Sequence, residues 1–148
     1  MISDLYFTKC YPDVTTPDRA TARSIGFDLS SYEDLVLQPQ KIAVVKTEIT
    51  VKPPDGTYVR LASRSGLASK GIVVQGGVID PDYTGEIKVI LQNFSENNLI
   101  IKKGMRIAQM IIEKAEIPHL VELSKLPGTP LEEHADNRGE RGFGSSGI

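Results

Sequence analysis

"GGVIDPDYTGEIKVILQ", Gly76 to Gln92, sets a turn directly against a strand. In its second half Ile87, Val89 and Leu91 fall on one face, and Glu86, Lys88 and Gln92 on the other. Ile90 is the one apolar residue on the polar side. Alternation of this kind is the signature of a half-buried strand, because successive side chains of an extended chain point to opposite faces. The segment PDYTG (81–85) before it carries the proline, aspartate and glycine chemistry of a hairpin loop. One strand entered through one tight turn is therefore the unit from which the fold is read.

The same unit recurs outward in both directions. Strand-like runs are LVL (35–37), KIAVVKTEITV (41–51), TYVRLA (57–62), GIVV (71–74), NLIIK (98–102) and MRIAQMII (105–112). Between them lie PPDG (53–56), SENN (95–98) and KKG (102–104), clusters of residues that tolerate turn conformations. Helical periodicity is weak throughout. Many short strands punctuated by turns predict an all-β sandwich, jelly roll or small barrel. No internal repeat is present, and 148 residues suit one domain with a substantial core. Apolar content falls away after about residue 126, so residues 1–125 are expected to form the domain and 126–148 a separate C-terminal arm. Glycine- and serine-rich ends of this type are ordinarily flexible, since they bury too little surface to offset ordering entropy.

Composition excludes several classes. Seventeen basic against 19 acidic residues leave a net charge of −2, which offers no global field for nucleic acid. The start MISDLYFTKC lacks a basic segment followed by a long apolar run, and no stretch is apolar enough to span a bilayer as a helix. The expectation is an intracellular protein, cytoplasmic or nuclear and not secreted, without membrane or nucleic-acid partners. The lone Cys10 excludes an internal disulfide. His119 and His134 lack the neighbours that a zinc site requires, and neither GxxxxGK[ST] nor GxGxxG occurs.

Five stretches carry residues suited to chemistry. In SIGFDLSS (24–31), Gly26 permits close backbone approach, and Asp28 stands between Phe27 and Leu29, where a carboxylate seeks a partner or metal. A turn aspartate capping local N–H groups is the plainer reading of that fragment. In SRSGLAS (63–69), Arg64 offers a bidentate fork, Ser65 a hydroxyl and Gly66 an approachable backbone, although a solvated turn arginine is the more ordinary reading of the fragment alone. In GGVIDPDYTGE (76–86), Asp80 ends an apolar run at the mouth of a hairpin, where a carboxylate can take a proton from water. Asp80 and Asp82 also serve as turn formers around Pro81. In GMRIAQM (104–110), Gln109 is a polar side chain inside an apolar strand, so it faces water or binds something. Lastly, RGERGFGSSG (138–147) combines arginines, backbone donors, serines and one aromatic ring, the parts that hold a phosphate chain and a base.

Taken together and in this order, IGFDL (25–29), SRSGL (63–67), GGVIDPDYTG (76–85), GMRIAQ (104–109) and RGERGFGSSG (138–147) resemble the five motifs of the trimeric all-β dUTPases, over roughly residues 5 to 148. The resemblance implies a jelly-roll (β-clip) barrel, a homotrimer with shared active sites, and hydrolysis of dUTP to dUMP and pyrophosphate. It implies that Asp80 holds the attacking water at the α-phosphate, and that Tyr83 packs on the deoxyribose and excludes a 2′-hydroxyl. Backbone groups along Gly77, Val78, Ile79, Lys88 and Ile90 would read uracil. Arg64, Ser65, Gly66 and Gln109 would hold the triphosphate, and Asp28 would contact a Mg2+ ion through water. From the arm, Phe143 would stack on uracil, Arg138 would meet the terminal phosphate, and Gly144, Ser145 and Ser146 would add donors.

The sequence also departs from that pattern. Ser63 stands where proline is usual, Ile25 where alanine is usual and Arg141 where glycine is expected; the connection from Gln109 to Arg138 is longer. Two other readings compete. The dCTP deaminases share the fold but carry a catalytic glutamate at the position of Ile90, which argues against deamination here. A nucleotide-binding docking protein with little turnover would be expected to lose Asp80 or Phe143, and both are present.

Overall fold

The computed structural model describes residues 3–128 and contains eleven strands and one single-turn helix within them. In chain order these are β1 (Tyr6–Lys9), β2 (Phe27–Ser30), β3 (Leu35–Leu37), β4 (Ile42–Lys46), β5 (Ile49–Lys52), β6 (Thr57–Ala62), α1 (Ser65–Ala68), β7 (Ile72–Gln75), β8 (Val78–Ile79), β9 (Lys88–Asn93), β10 (Leu99–Ile101) and β11 (Arg106–Lys114). Four antiparallel sheets result: β2–β11–β6–β8, β4–β9–β7, and the pairs β1–β5 and β10–β3. The all-β expectation holds.

The alternation around Leu91 does what its period requires. Ile87, Val89 and Leu91 are all buried, and Ile90 is half-buried on the opposite face. They join Leu29, Leu37, Val45, Val59, Leu61, Ile101, Ile107 and Met110 in one core enclosed by the sheets. Burying a side chain of this kind contributes about 1.5–3 kcal/mol, so this cluster is the main force holding the sheets together.

The run read as one strand from 41 to 51 is two. It breaks at Glu48, whose φ of 56° lies in the left-handed region. The Thr47 hydroxyl donates to the Ile87 carbonyl at 2.5 Å, and the Glu48 N–H donates to the Glu86 carboxylate at 2.9 Å, which holds the unusual backbone in place. The chain thereby leaves β9 as β4 and pairs with β1 as β5. At the far end of β9 the buried Asn93 amide donates to the carbonyls of Leu37 and Asn97, and its oxygen accepts from Ser95. That network fixes the SENN turn. The chain divides into two compact units after Glu116, and residues 117–128 of the second contain no strand or helix.

Candidate functional site

Two groups of polar residues sit on the sheet β2–β11–β6–β8. The first is assembled by strand pairing. Gln109 of β11 lies opposite Asp28 of β2 on one side and Ala62 of β6 on the other. Beyond Ala62 the chain turns through Ser63 and Arg64 into α1. The Gln109 amide donates to the Ser63 carbonyl at 2.9 Å, and the Arg64 Nε donates to an Asp28 oxygen at 3.2 Å. Asp28 is therefore a strand residue with a charged partner, its side chain only 16% exposed, and not a turn cap. Its local environment also explains Gly26: a Cβ there would stand 2.2 Å from the Gln109 Oε1. Ser63, where proline was expected, uses its hydroxyl to accept the Val74 N–H at 2.9 Å and ties this turn to β7.

Ser65 and Gly66 open α1 and are exposed, while Leu67 anchors the turn in the core. The carbonyls of Arg64 and Ser65 accept from Ala68 and Ser69. The N–H groups of a first helical turn have no partners within the helix, so they remain donors for an external group. A guanidinium, an amide, hydroxyls and backbone N–H groups at one strand end suit an extended polyanion.

The second group is the hairpin. Ile79 and Val78 pair with Val59 and Arg60, and the Leu61 N–H donates to the Gly77 carbonyl at 2.7 Å. Gly77 has φ of 88°, and a Cβ there would meet the Leu61 carbonyl oxygen at 2.6 Å, so both conformation and space demand glycine. The Tyr83 N–H donates to the Asp80 carbonyl at 3.0 Å, closing the expected turn. The Tyr83 hydroxyl donates to the Glu86 carbonyl at 2.7 Å, and the ring lies over Gly85, where a Cβ would be 2.6 Å from that hydroxyl. Asp80 is exposed and its carboxylate has no hydrogen bond or ion pair among the described residues. Ile90 packs beneath Gly76, and Lys88 is exposed at the start of β9.

These groups stay apart within one chain. Asp80 lies just beyond the Ile79–Val59 register, whereas Gln109 and Asp28 lie level with Ala62. Four residues along a strand correspond to about 13 Å. Between them, on the same face, Glu113 accepts from the Tyr58 hydroxyl at 2.6 Å and from the Arg60 Nε at 3.0 Å. The Tyr58 bond chiefly, and then Arg60, hold the Glu113 carboxyl below its ordinary range, and the same bond raises the Tyr58 hydroxyl.

The structure adds residues that the sequence reading passed over. Arg106, inside the fourth motif, stands 3.9 Å from the second Asp28 oxygen. The Asp18 backbone bridges that of Asp28, and Arg19 lies over the Phe27 ring at 4.3 Å. The signal for Arg106 was its place two residues beyond a turn glycine, in a motif already singled out. Arg138, Phe143, Gly144, Ser145 and Ser146 lie outside the described residues. Among those described, no three histidine, cysteine, aspartate or glutamate residues gather as metal ligands.

An all-β domain of short antiparallel strands, with an arginine–carboxylate–amide cluster at one sheet end and a carboxylate unpartnered among the described residues in a glycine hairpin, is of the jelly-roll class. The family model that matches is that of dUTPase, over residues 13–147. The chain belongs to the dUTPase family. It is 45% identical over 148 residues to a deoxyuridine 5'-triphosphate nucleotidohydrolase of Paramecium bursaria Chlorella virus 1, covering 99% of this chain and 100% of that one. Against the Mus musculus protein of the same name identity is 42%, with 98% and 86% covered. Among solved structures, the Staphylococcus bacteriophage 80alpha dUTPase with dUPNHPP superimposes with a TM-score of 0.85 at 30% identity, covering 99% of this chain and 100% of that one. A mutant dUTPase from phage phi11 of S. aureus, described with a structural Mg(II) ion, gives 0.78 at 26% identity, with 84% and 99% covered.

Proposed function

We propose that this protein hydrolyses dUTP to dUMP and pyrophosphate, limiting uracil incorporation into DNA and supplying dUMP for dTMP synthesis. The observation that carries the reading is Asp80, an exposed carboxylate without a partner among the described residues, directly after β8 in the hairpin. Asp80 accepts a proton from water as that water attacks the α-phosphorus; the bond from the α-phosphorus to its bridging oxygen breaks, and pyrophosphate leaves. Arg64, Ser65, Gly66 and Gln109 hold the phosphate chain and offset its charge. Backbone groups of Gly77, Val78, Ile79, Lys88 and Ile90 read the uracil edge. Tyr83, its ring fixed over Gly85, packs on the sugar and leaves no room for a 2′-hydroxyl.

The four-residue span of β6, roughly 13 Å, that separates the level of Asp80 from the Arg64 end favours a site completed by another copy, in keeping with the homotrimer with shared sites that the family resemblance implies. Mg2+, held mainly by the phosphates and touched through water by Asp28, would supply charge neutralisation. Residues 126–148 act as the closing arm on the domain of 1–125, with Phe143 on the base, Arg138 at the terminal phosphate and Gly144, Ser145 and Ser146 beside it. No helix among the described residues is long and apolar enough to cross a membrane. The protein works inside the cell, in cytoplasm or nucleus, without nucleic-acid or membrane partners.

Pyrophosphate release with Mg2+ tests this, with dUTP run beside dCTP, dTTP and UTP. Rapid release from dUTP alone is the expected result. Equal release from UTP would overturn the role of Tyr83, and binding of dUTP without release would favour the docking reading.

A further inference from the structure

β11 changes register between Arg106 and Ala108: Arg106 pairs with Ser30, and Ala108 already with Leu29. The consequence is visible in burial, since Ile107 and Ala108 are both buried in succession. By simple alternation Arg106 would share the inward face of Ala108 and Met110. The irregularity instead turns it to the face of Gln109 and Asp28, where its Nε stands 3.9 Å from Asp28. Bulges beside functional sites commonly re-aim one side chain in this way.

Arg106 gains little from Asp28 in return. At 3.9 Å it makes an ion pair without a hydrogen bond, its side chain is 59% exposed, and the Asp28 carboxylate already accepts from Arg64 at 3.2 Å. Asp18, opposite Asp28 across the bridge, forms no ion pair among the described residues. Two guanidiniums carry roughly ten N–H donors, and one of these is used in a hydrogen bond to a side chain. Their outward donors are spaced around one carboxylate at the end of the strand where Ser65, Gly66 and Gln109 already present donors.

We propose that Arg106 is a further phosphate-binding residue, paired with Arg64 across Asp28, that selects for a triphosphate over shorter phosphate chains. The proposal rests on the dUTP reading above. Asp28 holds the two guanidiniums side by side; with a triphosphate bound, their donors pass to phosphate oxygens. Lysine could not reproduce this fully, because it is a point charge without the fork.

The test is calorimetric titration of wild type, Arg106→Gln and Arg106→Lys with dUMP, with the non-hydrolysable α,β-imido dUTP and with inorganic tripolyphosphate, all with Mg2+. Arg106→Gln should weaken the imido-triphosphate by roughly 10- to 100-fold, the scale of a lost charge-assisted hydrogen bond, and change dUMP by less than about twofold. Arg106→Lys should fall between, and it carries the test if the glutamine variant does not fold. An equal loss for dUMP and the triphosphate would assign Arg106 a merely structural role and overturn the proposal, as would no loss at all. Failure of the nucleotide reading is separable: wild type would then bind neither nucleotide, while tripolyphosphate binding and its loss in Arg106→Gln would persist.

Discussion

The Asp28–Arg64–Gln109 cluster and the Gly76–Gly85 hairpin share one sheet and are built in opposite ways. Every bond of the cluster spans the fold: Arg64 to Asp28 across 36 residues, Gln109 to Ser63 across 46. The hairpin is closed by bonds three residues long, from Tyr83 to Asp80 and from Tyr83 to Glu86. The cluster's side chains are positioned by bonds to one another and still carry unused guanidinium donors, so a ligand meets groups already held in place. Asp80 is exposed and has no partner among the described residues to give up. The contrast teaches that the groups proposed to hold phosphate are brought together by tertiary pairing, whereas the carboxylate proposed as the base is presented by local turn chemistry.

Asp80→Asn challenges this contrast most directly. Turnover of dUTP should fall by about 100- to 10,000-fold, the range for loss of a general base, with the melting temperature unchanged because Asp80 has no partner among the described residues to lose. A large drop in melting temperature would instead make Asp80 part of the framework. Gly77→Ala should do the reverse and act on stability. A Cβ 2.6 Å from a backbone oxygen, at φ of 88°, should cost roughly 2–4 kcal/mol, measured by denaturant unfolding. Gly26→Ala is the smallest effect. Its Cβ meets the movable Gln109 Oε1 at 2.2 Å but also the Gln109 Cβ at 3.0 Å, so the amide should swing away and lose its bond to Ser63 while the backbone gives slightly, at about 1–2 kcal/mol in all. The sharper readout for Gly26→Ala is a rise in KM for dUTP with kcat retained. If Gly26→Ala destabilises as much as Gly77→Ala, the cluster is a structural staple first.

Much of the hairpin was legible because its signals are local. Pro81 and Gly85 bracket the turn, and the burial of Ile87, Val89 and Leu91 follows from period-two spacing alone. The cluster was legible only as separate fragments. Asp28 read plausibly as a turn cap because nothing near it in sequence shows that β2 will lie against β11. The break at Glu48 was hidden as well, since a left-handed glutamate is stabilised by Ile87 and Glu86, nearly forty residues away. Arg106 was missed for a related reason: alternation assigns it the core face, and only the bulge moves it.

By itself, then, the sequence determined an all-β chain, which faces of its strands are buried, where the glycine turns fall, and that Asp80 ends a strand at a loop. Those properties depend on the backbone preferences of neighbours and on side-chain alternation, which reach only a few residues. The tertiary structure alone decided that Asp28, Arg64, Gln109 and Arg106 meet, and that Asp80, after β8, lies beside the opposite end of β6. Strand partners and register are chosen by how the whole core closes, because a shift of one residue would turn every buried side chain outward.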